Sequence, residues 1–272
     1  MHTVPKPTAL LLILLLIALY PTAVSASSFE FTVTAKSAFD KMKAAADKAT
    51  TSKLTSQYTA LQTVQKQTIQ WDTKINDLHY RNEDAELTTR QRIKEVDANK
   101  LRKLEADVSR AKKQYQPLFN HYDTIRQQLS IAKSYQSKTL VSILNPQVET
   151  TKAAVQIAKQ DIRSKEAALK AAKATATKTM KRIKDILIES DKVNIKIRSA
   201  KSAISTQKKQ FTTETKILNQ VVRKGDATAT LSSFTRLISF TKQVNEQKQK
   251  IFAYEQQISS VIAKANVQLS TQ

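Results

Sequence analysis

An apolar residue returns at every seventh position through the second half of the chain. Counting from Val148 gives Val155, Ile162, Leu169, Ala176, Ile183, Ser190, Ile197, Ile204, Phe211 and Leu218, and ten of these eleven are apolar. Three residues beyond each lies a softer row, often small, as at Ala158, Ala172 and Ala200. Two such rows, alternating by threes and fours, mark one face of a long helix that packs against a partner. A helix from Pro146 to Lys224 would measure roughly 120 Å at 1.5 Å per residue. It cannot stand alone, because its stripe needs a covering surface.

The first half carries the same signal with one interruption. Leu54, Leu61, Ile75 and Val96 are related by multiples of seven, and Val64, Trp71, Leu78 and Ala85 sit three residues after such positions. The phase slips between Val96 and Leu101. It then runs cleanly through Leu101, Leu104, Val108, Ala111, Tyr115, Leu118, Tyr122, Ile125, Leu129 and Ala132. Pro117 does not disturb it, so a kink is expected there and not a loop. Ser27 to Thr34 alternates apolar and polar residues and reads as an extended leader over 27–36, with Ser37 as the helix cap that follows.

Three breaks organise the helices. Asn145-Pro146 offers a preferred cap followed by the residue preferred at the first helical position. Gly225-Asp226 places the single glycine after a basic last turn, where a left-handed residue closes a helix. Asn82, followed by Glu83 and Asp84, is the expected fold point of the long first region. Tight turns make neighbouring helices antiparallel. The expectation is an all-α protein: an elongated antiparallel coiled coil or helical bundle of three to four long helices, forming one elongated domain over 37–272. A second chain could satisfy the same heptads, so homo-oligomerisation stays open.

Composition narrows the function classes. With one Gly and no Cys in 272 residues, there is no phosphate-cradling glycine loop, zinc finger, iron–sulfur site or disulfide framework. Residues 1–26 have the parts of a secretory signal peptide: a weakly basic start, the apolar run Ala9 to Tyr20, then Pro21 and small residues up to Ala26. No later stretch approaches a membrane span; the most apolar, Thr139 to Leu144, is far too brief. A chain exported without a membrane span is expected.

The search for chemistry returns little. His79 and His121 are 42 residues apart, and no carboxylate spacing supports a metal site with them. Trp71, Tyr58, Tyr80, Tyr115 and Tyr122 mostly fall on or near the apolar stripe and read as core. No enzyme activity, metal or cofactor is expected.

Charge changes the picture. Lys plus Arg number 45 against 23 Asp plus Glu, a net +22. Residues 27–100 hold 12 basic and 10 acidic side chains, residues 101–224 hold 27 and 10, and residues 225–272 hold 5 and 3. The densest run is Lys159, Arg163, Lys170, Lys173, Lys178, Lys181, Arg182 and Lys184, mostly off the core positions. Such residues suit a flexible polyanion lying along a helix, without the interleaved aromatics of a single-strand binder. A solvated face with intrahelical pairs such as Glu166 with Lys170 is the bland alternative.

Tyr115-Gln116-Pro117-Leu118-Phe119, the stretch Ala158 to Ala172, and Lys224-Gly225-Asp226 followed by Leu231 and Leu237 resemble secreted Lys-rich helical proteins of Gram-positive spore-formers. The chain is also similar to the basic, helical N-terminal regions of surface-layer proteins, which bind anionic cell-wall polymers. This likeness rests on composition and helix pattern and transfers no individual residue. It implies a secreted protein held at the wall by anionic cell-wall or surface polymers. The alternative is a structural or partner-binding extracellular coiled coil whose charge serves solubility only. Non-specific nucleic-acid binding at low salt follows from charge alone. A pore-forming toxin would need a hydrophobic insertion hairpin, and no segment after residue 26 is apolar enough.

Overall fold

The computed structural model of the chain describes residues 29–271, so the segment read as a signal peptide lies outside the described residues. Among the described residues, five helices make an all-α helical bundle: α1 (Val33–Ala45), α2 (Lys48–Lys94), α3 (Ala98–Ser134), α4 (Lys138–Arg223) and α5 (Ala227–Ser270). Four of them are long, and no strand occurs among the described residues.

The helix boundaries follow local chemistry, not always where the sequence suggested. The expected leader is shorter than 27–36. Thr32 caps α1 by accepting the Ala35 N–H at 3.2 Å, and the helix begins at Val33, before Ser37. Asp47 caps α2, accepting the Thr50 N–H at 2.9 Å and the Thr50 hydroxyl at 2.7 Å. That hydroxyl, with the backbone donors, holds the Asp47 carboxyl below the usual carboxylate range.

The turn expected at Asn82 is absent, and α2 runs on to Lys94. Asn82 is only 5% exposed because it belongs to the buried row Ile75, Asn82, Thr89 and Val96, seven residues apart. The chain instead breaks at Glu95–Asp97, where the stripe slips phase and Asp97 takes a left-handed φ of 57°. The turn expected at Asn145-Pro146 is likewise corrected: α4 starts eight residues earlier, at Lys138, and contains Pro146. The reversal is at Tyr135–Ser137, with Gln136 left-handed at φ 55°. There the Ser137 N–H reaches the Ala132 carbonyl at 3.1 Å and the Gln136 N–H the Lys133 carbonyl at 3.1 Å, closing the last turn of α3. The reason the helix continues through Pro146 is packing. Val148 is buried against Ile125 and Leu129, with Val141, Leu144 and Tyr122 around them, and a turn at 145 would scatter this group. Pro117 also lies inside a helix, as its unbroken stripe indicated. Gly225 closes α4 as expected, at φ 73°, with the Asp226 N–H reaching the Val221 carbonyl at 3.1 Å.

Two compact units are present. In the first, the described residues through Tyr80 pack with Val193–Gln256. Partner residues here show α5 parallel to α2 and α4 antiparallel to both: Asn245 meets Val64 and Thr68, while Arg236 meets Glu214. Its apolar end gathers Phe29, Phe39, Met42, Leu54, Leu218 and Phe234. Phe31 stacks on Phe39 at 4.9 Å between ring centres, which ties the segment before α1 onto the bundle.

In the second unit, Arg81–Lys192 packs with the described residues from Gln257 onward. Here α3 lies antiparallel to α4, as the pairs Glu105–Lys173 and Lys112–Glu166 show. The α3 stripe faces its partner, with Val108, Ala111, Ile125, Leu129 and Ala132 buried. On α4 the seven-residue row holds almost throughout; Ile183 is 0% exposed and even Ser190 is 1%.

Pro146 supplies the first test. It has no N–H to give the Ser142 carbonyl, a helical bond whose loss costs on the order of 3 kcal/mol in a helix interior. Pro146→Ala should therefore stabilise the protein by about 1–3 kcal/mol in chemical denaturation. Destabilisation would place a turn at 145–146 after all.

Candidate polyanion-binding face

All eight cations singled out in the sequence (Lys159, Arg163, Lys170, Lys173, Lys178, Lys181, Arg182 and Lys184) lie on α4 and are exposed. The helix period puts them there. Val155, Ala158, Ala172, Ala176 and Ile183 fill the seam side, so these cations, set off the seam, face water. Arg163, Lys170 and Lys184 each follow a seam residue by one place, and Lys159 and Lys173 each follow one by four. Successive places in such a row are about 10 Å apart, seven residues of helix. With Lys178 and Lys181 these residues cover roughly half the circumference of α4, and Arg182 lies beyond them.

Few of these charges are neutralised. Among the described residues, only Lys173 of the eight takes an ion pair, to Glu105 of α3 at 2.6 Å. The anticipated Glu166–Lys170 pair does not form, because Glu166 turns to Lys112 of α3 at 2.7 Å. These pairs are half exposed, so each contributes no more than about 1 kcal/mol. Asp161 and Lys165 pair along α4; their hydrogen bond holds the carboxyl below its usual range and the ammonium above its own. Residues 98–192 carry 20 basic and 9 acidic side chains. The surface left over is a set of unpaired ammonium and guanidinium groups on flexible stems, spaced along a rigid helix.

Such an arrangement attracts an extended anion without enclosing it. A cleft of about 360 Å³ lies beside the α2–α3 break, lined by Arg92, Val96, Asn99 and Leu269 among others, and none of the eight cations lines it. No group of three or more metal-ligating side chains occurs among the described residues. His121 is exposed, while His79 is half-buried with its Nδ1 2.9 Å from the Glu255 carboxylate. Of the aromatics read as core, Tyr80 is a correction: it is 59% exposed.

Sequence reading missed a polar seam in the first unit. From Phe234, steps of seven reach Thr241, Lys248, Glu255 and Ile262, all buried. Asn245 accepts the Thr68 hydroxyl at 2.6 Å and donates to the Val64 carbonyl at 3.0 Å. Lys248, 3% exposed, donates to the Thr68 carbonyl at 3.3 Å and pairs with Asp72. Glu214 is held similarly by both arms of Arg236 at 2.8 Å; burial alone would raise its carboxyl, and the guanidinium brings it below the usual range. The available signal was the row itself, whose members continue the spacing of Phe234.

No family model matches the chain, and neither a curated protein nor a solved structure matches it.

The Lys248 site gives a pH dependence with a definite sign. Burial pushes its ammonium below the ordinary lysine range, against the pull of Asp72. Lys208 shifts the same way, through burial and then the charge of Lys248. The unfolded lysine thus binds its proton more tightly than the folded one. Stability should rise as pH climbs through the lowered folded value toward the ordinary lysine range. Denaturation midpoints at pH 8 and pH 10 should show this rise in the wild type and a smaller one in Lys248→Met. Equal rises in both proteins would remove Lys248 as the cause.

Proposed function

We propose that this protein is a secreted, non-enzymatic helical protein that binds anionic cell-wall or surface polymers through the basic face of α4. The observation that carries the reading is the row of exposed, mostly unpaired cations on a helix whose other side is occupied by packing. A uniform solubility charge would be spread along the chain, whereas residues 27–100 are close to neutral and residues 98–192 are not. The likeness to wall-polymer-binding helical regions and the secretory character of residues 1–26 support the same assignment. Teichoic-acid-like polymers and acidic polysaccharides have the required repeat of charge and the flexibility to follow a helix.

Binding of this kind releases counterions and weakens steeply with salt, since exposed charges are screened within about 8 Å at physiological ionic strength. The test uses purified cell walls with and without their anionic polymers. Lys159, Lys170, Lys178 and Lys181 are replaced together by Glu, which leaves the Lys173–Glu105 pair in place. The wild type should sediment with intact walls and lose this in high salt or when the polymers are stripped. The charge-reversed variant should keep its helical signal and fail to sediment. Sedimentation equal to the wild type would overturn the electrostatic reading in favour of partner binding elsewhere on the chain.

A further inference from the structure

The reversal between α3 and α4 presents apolar side chains to solvent. Ile131, Tyr135, Leu140 and Ile143 are 56%, 81%, 51% and 53% exposed. All lie within six residues of the turn at 135–137. On the other side of the same first turns of α4, Val141, Leu144 and Val148 face the cluster built on Ile125 and Leu129. The first turns of α4 are therefore apolar over nearly half their circumference, from Val141 and Val148 through Leu144 and Leu140 to Ile143. That arc is wider than the inner contact fills, with Lys138, Ser142 and Asn145 on the polar remainder. Only the inner side is covered by the described residues. Elsewhere on α4, exposed Ile157 stands singly and Ile188 and Ile195 lie two turns apart, about 10 Å, so neither forms a cluster like that of the turn.

Charge identifies the cover. Between Thr124 and Val148 the chain has three basic side chains, Arg126, Lys133 and Lys138, and no acidic one. All three are exposed, and Lys133 and Lys138 flank the turn. A second copy of this tip would bring like charge against like charge. An anionic lipid surface offers what the tip lacks, an apolar layer edged by phosphates.

We propose that the α3–α4 tip docks on an anionic lipid surface. Tyr135, Leu140 and Ile143 enter the boundary between headgroups and acyl chains, and Lys133 and Lys138 reach back to the phosphates. Ile143 lies six residues past the turn, about 9 Å of helix, which matches the 5–10 Å depth of interfacial helices. The backbone is prepared for that environment. The Tyr135, Gln136 and Ser137 N–H groups all have carbonyl partners at 3.1 Å within the turn. The Ser134 and Ser142 hydroxyls are likewise bonded to carbonyls of their own helices at 2.8 Å. No helix among the described residues is long and apolar enough to cross a membrane. The contact is consequently peripheral, and it is separate from the polymer-binding face.

The experiment is flotation of the chain lacking residues 1–26 with vesicles of phosphatidylcholine alone, or of phosphatidylcholine with phosphatidylglycerol. Binding is expected to the mixed vesicles only. Leu140→Ser with Ile143→Ser alters exposed positions, so it should leave helicity and wall sedimentation unchanged while weakening vesicle binding about tenfold. In a Tyr135→Trp variant, lipids brominated on the acyl chain should quench the added fluorescence relative to the same vesicles without bromine. Undiminished binding by the serine variant, or no added quenching, would show that general charge holds the protein to the vesicles and would overturn the proposal. So would failure to float with mixed vesicles. A lipid-free dimer that the serine variant dissociates would assign the tip to contact between copies instead.

Discussion

The apolar row of α4 has to be covered, and the rest of the molecule is arranged by that requirement. A helix of this length gains little from its own backbone bonds, because water competes for them and the chain entropy opposes their formation. Each fully buried Ile or Leu along the row is worth about 1.5–3 kcal/mol. Ile183 and Leu218, both 0% exposed, belong to that class. The exposed ion pairs between α3 and α4 contribute far less. Stability therefore resides in the seam, and the polar circumference of α4 can vary with little effect on folding. That separation lets a helix carry an unbalanced charge.

Helix identity was legible because it depends on the same row. The seam of α4, the stripe of α3 and the closing glycine at 225 all appear in the structure where the sequence placed them. Turns were less legible, because local signals compete with packing. Asn145-Pro146 has the residues of a helix start, yet the cluster around Val148 outweighs the single bond that Pro146 forgoes. Gln136 carries no glycine or proline signature, and the bonds from Ser137 and Gln136 into the end of α3 offset the strain of its left-handed backbone. Asn82 shows the converse error: a residue type common at caps sits in the seam, where its position in the seven-residue row was the better guide.

The polar members of the seam have their own physical role. Thr68, Asn245, Lys248 and Asp72 satisfy one another only when α2 and α5 are aligned as they are here. Sliding one helix by a turn would leave a buried amide or ammonium without its partner, which costs about 1–3 kcal/mol or more for each group. The apolar rows alone would tolerate such a slide, since every seventh position offers a similar surface. These residues thus fix a register that hydrophobic periodicity leaves degenerate, as a buried Asn does between paired helices.

The candidate site was legible in its residues and not in their partners. All eight cations are exposed because they fall off the seam, which counting alone gives; that Glu166 and Glu105 reach across to Lys112 and Lys173 depends on the α3–α4 alignment, which counting does not give. The same reasoning separates the two outward surfaces of this hairpin. Along residues 159–184 the surplus over what packing requires is charge, with few large apolar side chains in the open. At the tip the surplus is apolar, with Leu140 and Ile143 outside a seam that Val141, Leu144 and Val148 already fill. A charged surplus lowers the free energy of contact with any polyanion and is erased by salt. An apolar surplus is unfavourable in water and is relieved only by a medium that excludes water, so it selects a partner of a different kind. What a bundle of this type leaves over after its seam is satisfied is therefore the most direct statement of what it touches.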